Sequence, residues 1–244
     1  MFILKSEDYT GILDNNTAYV RGEKITLPGN YVYDPGDSIK IKGREYIVLN
    51  CDPLFYNEVT ERYTQTVLPL DISYILYSAS INSGKNVLES GVGIGNLSYS
   101  ILKSIGKSGK LTGIDINEKN IENARKNLSR FINTDNWNLI NDDIKNYKSN
   151  DIYDAIILDM PDPWNAISNI KHNLKPGGYI ILYSPNYNQT EKNVVELKKN
   201  KFFVVETVEL IKRNIIVREN ATRPDNNIIG HTAFINIAIK TSKI

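Results

Sequence analysis

The sequence is poor in the residues that build disulfides, metal centres and membrane spans. It has one cysteine, Cys51, and two histidines among 244 residues. This composition allows no internal disulfide, predicts no metal site and gives poor support to a Ser-His-Asp hydrolase. No apolar run is long enough to cross a bilayer, and charge appears too early after Met1 for a secretory signal. We therefore expect a cytoplasmic protein that does not contact membranes.

The sequence also lacks an excess of positive charge. The formal net charge is +1, from 29 basic and 28 acidic side chains. The total therefore gives no support of its own to nucleic-acid binding, although local basic patches can still bind phosphate.

Two regions of different pattern predict two domains. Residues 1–60 contain the strand-like segments 17–20, 38–42 and 45–49, separated by glycine and proline turns. They predict a small all-β, barrel-like domain that ends in a linker near residues 51–53. Residues 61–244 form the second predicted domain.

Strand-like and helix-like segments alternate through residues 61–244. This alternation predicts an α/β domain with an open, mostly parallel sheet and helices on both faces. Helices are predicted around residues 72–79, 97–105, 117–131, 164–174 and 190–199, with Asn117 and Thr190 as N-caps. Strands are predicted at 87–88, 110–114, 137–140, 155–158, 179–183, 202–205, 215–217 and 233–239, with a turn at 175–178.

A glycine-rich loop follows the first strand of this domain. Gly91, Gly93 and Gly95 occupy every second position, and a helical pattern begins directly after them at Asn96 and Leu97. A strand, a tight glycine turn and a helix N-terminus let the backbone approach a nucleoside-type ligand closely. Taken alone, such a loop is also common as an ordinary connection between a strand and a helix.

Carboxylates follow the four consecutive strands that begin with the one before this loop. The first strand ends at Glu89, the second at Asp115, the third near Asp142 and Asp143, and the fourth at Asp159. Ligands of open α/β sheets bind at the carboxyl ends of the strands. Asp115 is placed to accept hydrogen bonds from ribose hydroxyls, and the pair at 142–143 to contact an adenine edge. Individually, these side chains could instead be helix-terminal or turn residues.

The loop favours S-adenosylmethionine over a dinucleotide. A dinucleotide fingerprint has glycine where this chain has Asn96, and the Glu89 carboxylate would repel a pyrophosphate. The same carboxylate suits a ligand that carries a sulfonium and an ammonium group but no phosphate.

Four segments resemble the tRNA (adenine-N1)-methyltransferases that act on adenine 58 of the T-loop, a family of class I methyltransferases. The resemblance is carried by residues 63–76, by Glu89–Leu97, by Leu158-Asp-Met-Pro-Asp-Pro-Trp164, and by Arg223-Pro with Gly230-His-Thr-Ala-Phe234. It implies a Rossmann-like catalytic domain, S-adenosylmethionine as methyl donor, tRNA as substrate and a homotetramer. It also implies that Gln65 contributes to the cofactor site.

Asp159 is the predicted catalytic residue. Adenine N1 carries a lone pair in the ring plane, so methylation needs no base. A carboxylate that accepts a hydrogen bond from the exocyclic amine would orient the ring and stabilise the developing positive charge. A helix-capping role for Asp159 is the alternative. The resemblance implies that the target adenine leaves its stack in the T-loop to be methylated. We expect this base to stack on Tyr183 or, as a second choice, on Trp164, with core packing as the alternative for both. Arg223 is expected to contact phosphate or to pair with an acidic side chain.

Two other functions stay open from the sequence. One is a class I methyltransferase with a protein or small-molecule substrate. The other is a tRNA-binding subunit without activity, against which the joint retention of the glycine loop, Asp115 and Asp159 argues. The sequence leaves open whether adenine 57 is also methylated.

Overall fold

The computed structural model describes residues 1–29, 32–60 and 66–242. Its N-terminal part is a six-stranded antiparallel half-barrel with strand order β4-β3-β2-β1-β6-β5. The predicted β domain is thus confirmed, and three of its six strands were predicted. The strands are β1 (Phe2–Lys5), β2 (Thr10–Asp14), β3 (Thr17–Val20), β4 (Glu23–Thr26), β5 (Ser38–Ile41) and β6 (Arg44–Leu49).

A short helix that was not predicted, α1 (Pro53–Val59), begins at the last residue of the predicted linker near residues 51–53. Pro53 begins it, since proline suits the first turn of a helix. Its Tyr56 is fully buried and stacks on Tyr99 with ring centroids 4.1 Å apart. This contact places α1 in the core of the following domain, so the predicted boundary after residue 60 stays a prediction.

The second sheet has seven strands in the order β12-β15-β11-β10-β7-β8-β9. Its strands from β11 to β9 are parallel, whereas β15 runs antiparallel between β11 and β12. The central apolar run Ile156–Leu158 is fully buried, as expected for a parallel strand covered on both faces. The strands are β7 (Asn86–Ser90), β8 (Lys110–Asp115), β9 (Trp137–Asn141), β10 (Tyr153–Asp159), β11 (Leu174–Ser184), β12 (Phe202–Glu209) and β15 (Phe234–Lys240), while β13 (Ile215–Ile216) and β14 (Arg223–Pro224) form a separate ribbon.

Helices cover both faces of this sheet, as predicted. The first four helices bury their apolar side chains in one core, and the last two bury theirs in a second core on the opposite face. In the described ranges, no helix combines the length and the apolar character that a bilayer crossing requires. Besides α1, the helices are α2 (Pro69–Ser78), α3 (Asn96–Ile105), α4 (Glu118–Ser129), α5 (Ile167–Ile170) and α6 (Tyr187–Lys199).

Three local predictions were wrong. The helix predicted over 164–174 is broken, because only Ile167–Ile170 is α-helical and 3-10 turns lie on either side. Helix α6 begins earlier than predicted, and its N-cap is Asn186, whose side chain accepts a hydrogen bond from the Gln189 amide. The predicted turn at 175–178 is a bulge within the long strand β11.

We predict that Tyr56→Ala lowers the free energy of unfolding by about 3–5 kcal/mol, because it removes a fully buried aromatic ring and leaves a cavity. Leu54→Ala is the matched control, since Leu54 lies on the same helix but is 57% exposed; its effect should stay within about 0.5 kcal/mol. Urea unfolding followed by circular dichroism measures both. Equal effects of the two substitutions would contradict the packing of α1 as a core element.

Candidate functional site

A cavity of about 640 Å³ opens at the carboxyl ends of the parallel strands. This is the edge at which open α/β sheets bind their ligands. The structure brings seven of the fourteen site residues predicted from the sequence to the lining of this cavity. Those that line the cavity are Gly91, Gly93, Asp115, Asp142, Asp143, Asp159 and Tyr183.

The glycine loop forms one wall of the cavity and permits an unusually close backbone approach. Gly91 has φ +89°, and a Cβ atom there would lie 1.7 Å from the carbonyl oxygen of Asp159. Gly95 is the N-cap of α3 with φ +85°, and a Cβ there would lie 2.4 Å from Leu128 Cδ1. Only glycine fits at these positions, because a side chain would collide with strand β10 or helix α4.

Asp115, at the end of β8, is held rigidly by its surroundings. One carboxylate oxygen accepts a hydrogen bond from the Gly93 amide at 2.9 Å, and the other from the Asn117 amide at 2.9 Å. The Asn120 side chain donates to both oxygens, at 3.1 and 3.2 Å. These donors fix the orientation of the carboxyl group at the cavity wall.

Glu89 is fully buried just behind the glycine loop. Its Oε2 accepts a hydrogen bond from Ser98 at 2.6 Å, whereas its Oε1 has no hydrogen-bond partner among the described residues. Burial, together with the nearby carboxylates of Asp159 and Asp115, raises the pKa of Glu89 to about 8. A buried acceptor of this kind suits a cationic or hydrogen-bond-donating ligand.

Asp159, at the end of β10, shares a sheet face with Glu89 and Asp115. Glu89 is in register with Ile157, and side chains two residues apart on a strand point to the same face. Asp159 is half-buried, and among the described residues no donor bonds to its carboxylate. Burial and the charge of Asp115 raise the pKa of Asp159 to about 7. The carboxylate is thus available to a ligand in the cavity.

Tyr183 lies directly beside Asp159, since the two residues are in register on β11 and β10. The Tyr183 hydroxyl donates a hydrogen bond to Asp71 Oδ2 at 2.8 Å. Burial and this carboxylate raise the pKa of Tyr183 well above its usual range. This role of Asp71 could not be predicted from the sequence, because the two partners are 112 residues apart.

Besides Glu89 and Gly95, four other predicted site residues lie outside the cavity lining. Asn96 is buried, and its side-chain amide donates to the carbonyl of Val67 at 2.7 Å; Leu97 packs in the core. Trp164 lines a different pocket, on the α6 face, and Arg223 lies on the exposed β13–β14 ribbon. Gln65, the remaining residue predicted to bind cofactor, lies outside the described residues.

The cavity lining also contains polar residues that were not predicted as site residues from the sequence. Lys145 is the single basic residue among the described lining residues, and it lies 3.2 Å from Asp162 and 3.6 Å from Asp143. These contacts join the loop after β9 to the loop after β10. The acidic residue at 162 could have been selected from the sequence, because it stands in the segment that follows Asp159.

The donor and acceptor groups of this cavity fit S-adenosylmethionine better than a pyrophosphate-containing ligand. Five of its described lining residues are aspartates, and its lysine is already paired with two of them. Glu89 Oε1 adds a buried acceptor that has no hydrogen-bond partner among the described residues. At Gly91 the backbone of the loop is not covered by a side chain, so a ligand can approach it closely. Among the described residues, no cluster of histidine, cysteine and acidic side chains has the arrangement of a metal site.

Glu89 and Asp159 should make the stability of the ligand-free protein fall as the pH rises. Their pKa values in the folded state are about 8 and about 7, against 4.5 and 3.8 for the free side chains. The folded protein therefore holds protons that the unfolded chain has lost, and stability declines as the pH rises towards 8. We predict that Glu89→Gln raises the unfolding free energy at pH 8 by about 1–3 kcal/mol.

Urea unfolding between pH 5 and pH 8.5 measures this decline, which should be smaller in Glu89→Gln than in the wild type. The control is Glu122→Gln, because Glu122 is exposed on helix α4; it should leave the pH dependence unchanged. Parallel pH profiles for the wild type and Glu89→Gln would contradict the assignment.

Comparisons with known proteins agree with this geometry. A solved S-adenosylmethionine-dependent O-methyltransferase from Thermotoga maritima superimposes with a TM-score of 0.87 at 25% identity, covering 100% of this chain and 93% of the other. The tRNA (m1A58) methyltransferase TrmI of Aquifex aeolicus superimposes with a TM-score of 0.83 at 23% identity, covering 100% and 98%. The predicted Rossmann-like class I methyltransferase fold is thereby confirmed.

Sequence comparisons specify the family. A relative from Methanocaldococcus jannaschii, named tRNA (adenine(57)-N(1)/adenine(58)-N(1))-methyltransferase TrmI, is 34% identical over 204 residues. The match covers 73% of this chain and 72% of that protein. Residues 45–233 match the family model described as tRNA methyltransferase complex GCD14 subunit. The chain therefore belongs to the GCD14 family of tRNA methyltransferase subunits.

Proposed function

We propose that this protein transfers a methyl group from S-adenosylmethionine to N1 of adenine 58 in the T-loop of tRNA. The observation that carries the proposal is the Asp159 carboxylate, which has no bond from a described donor and lies beside Tyr183 at the cavity. The relative from Methanocaldococcus jannaschii is named for methyl transfer to N1 of adenines 57 and 58. Adenine N1 already carries a lone pair, so its methylation needs no general base.

S-adenosylmethionine, when bound, supplies an electrophilic methyl group on a positively charged sulfur. The residues that would hold it are the glycine loop, through its bare backbone, and Asp115, through hydrogen bonds from ribose hydroxyls. Asp142 and Asp143, in the loop after β9, are proposed to contact the adenine of the cofactor. Glu89 lies behind the loop, where the cationic part of the ligand would lower the pKa of its carboxyl group and favour the ionised form.

Asp159 acts on the acceptor base in this proposal. Its carboxylate accepts a hydrogen bond from the exocyclic amine of the target adenine and thereby fixes the ring in the cavity. As N1 is alkylated, positive charge spreads to that amine, and the hydrogen bond strengthens because the acceptor is an anion in a partly desolvated site. Asp159 needs to be ionised for this role, so its pKa of about 7 favours activity at neutral and higher pH.

The target adenine must leave its stack in the folded T-loop to reach this carboxylate. Tyr183 is the proposed stacking partner, because its ring lines the cavity next to Asp159. Trp164, the second aromatic residue predicted for this role, has Lys192 Nζ 4.9 Å from its ring centroid in a separate pocket. We therefore assign the flipped base to Tyr183, and we propose Arg223, on the exposed ribbon, as a contact to tRNA phosphate.

A homotetramer in the cytoplasm is the proposed working form. The exposed segment around β13 and β14 supports self-association, because a two-stranded ribbon is marginally stable alone and this one exposes aliphatic side chains. Two examples are Ile215 and Val217. Covering such side chains with a second copy would remove them from water.

Mass-spectrometric nucleoside mapping of an unmodified tRNA transcript, after incubation with the protein and S-adenosylmethionine, tests the function. We predict 1-methyladenosine at position 58 and none there when that adenine is replaced by guanosine. Detection of the product at position 57 would show a second acceptor. Methylation of protein or small molecules without tRNA labelling would contradict the proposal, and so would cofactor binding without any transfer.

Asp159→Asn should lower kcat by about 10²–10³-fold, because the neutral amide cannot stabilise the charge that develops on the base. Calorimetry should find cofactor binding within about threefold of the wild type, so that the loss is assigned to chemistry. Asp162→Asn is the matched control, since Asp162 belongs to the same loop but bonds to Lys145 and Asn165. An unchanged kcat in Asp159→Asn would remove Asp159 from its role.

A further inference from the structure

Asp71 is a buried carboxylate that has no part in the mechanism above. It lies in the first turn of helix α2 and is 1% exposed. Burying a carboxylate is costly unless donors compensate it, and the donor here is the hydroxyl of Tyr183 at 2.8 Å. A carboxyl group thus lies in the interior, where it bonds to the side chain beside Asp159.

The hydrogen bond restrains an otherwise rotatable ring. The Tyr183 side chain is attached to strand β11 at one end, and its hydroxyl is bonded to helix α2 at the other. With both ends held, the ring keeps one rotamer at the cavity wall. Asp159 is fixed in the neighbouring register position of β10, so the ring and the carboxylate have a defined mutual placement.

We infer that Asp71 is a positioning residue for the acceptor base: it holds the Tyr183 ring where the base stacks while Asp159 binds the exocyclic amine. The inference rests on the proposed function, since it takes the ligand that stacks on Tyr183 to be the target adenine. Its chemical consequence is that the adenine is held in one orientation. A base that stacks on a fixed ring presents N1 in line with the methyl group, whereas a rotating ring would allow unproductive poses.

A second hydrogen bond between α2 and the sheet provides a control for the one made by Asp71. Tyr74, three residues after Asp71, donates a hydrogen bond from its hydroxyl group to Glu206 of β12. Both bonds join α2 to the sheet, but neither Tyr74 nor Glu206 belongs to the cavity lining. Removing the hydrogen bond of Tyr74 therefore shows how much of any loss in kcat comes from a weaker attachment of α2 to the sheet.

The experiment compares kcat and KM for tRNA methylation in five variants: Asp71→Leu, Asp71→Asn, Tyr183→Phe, the double variant Asp71→Leu/Tyr183→Phe, and Tyr74→Phe. Asp71→Leu is similar in size but has no acceptor, so kcat should fall at least about tenfold with the KM for cofactor unchanged. Asp71→Asn keeps a carbonyl acceptor and should restore most of the rate. Tyr74→Phe should retain the wild-type kcat.

The double variant decides whether Asp71 acts through Tyr183. In the Tyr183→Phe background there is no hydroxyl to hold, so adding Asp71→Leu should lower kcat no further. Independent, multiplying losses would overturn the inference, as would a wild-type kcat in Asp71→Leu or an equal loss in Tyr74→Phe.

Crystal structures of Asp71→Leu and Tyr74→Phe give a readout that does not depend on methylation. The Tyr183 ring should leave its place beside Asp159 in the first variant and keep it in the second. An unmoved ring in Asp71→Leu overturns the inference even if tRNA is methylated. A wild-type protein that does not methylate tRNA overturns the proposed function, while the ring positions still decide whether Asp71 holds Tyr183.

Discussion

The crowding of three carboxylates at one edge of the sheet is the constraint on which the site depends. Glu89, Asp115 and Asp159 end neighbouring parallel strands, and the register between these strands places all three on one face. Burial disfavours the ionisation of Glu89 and Asp159, and the neighbouring carboxylates add to this effect, which is why their pKa values rise to about 8 and about 7. A cationic ligand would lower both pKa values by favouring the ionised carboxylates, whereas a polyphosphate would add negative charge and raise them further.

The rest of the architecture holds these groups in a small volume. Gly91 brings the loop backbone against β10 without a side chain between them. Four donor contacts fix Asp115, whereas no described donor engages Asp159. One carboxylate is thus restrained for binding, and the other stays free for the acceptor base. Helix α2 is linked to strand β11 at this site by the hydrogen bond between Asp71 and Tyr183.

Features encoded by local patterns could be predicted from the sequence. The glycine loop, the central parallel strands and the acidic strand ends follow from periodicity and from the topology of α/β sheets. Contacts between distant segments could not be predicted in this way: the pairing of Asp71 with Tyr183 depends on how α2 lies on the sheet. The same limit explains α1, whose seven residues show no helical period of their own and which is stabilised by the stack of Tyr56 on Tyr99.

Proton release on cofactor binding tests the central claim most directly. Titration calorimetry at pH 7, in two buffers of different ionisation enthalpy, compares S-adenosylmethionine with S-adenosylhomocysteine, which lacks the positive charge on sulfur. The account predicts that the cationic ligand releases more protons, because its charge lowers the pKa values of Glu89 and Asp159, and that Glu89→Gln reduces the difference. Equal proton release for the two ligands would contradict a site organised around buried carboxylates.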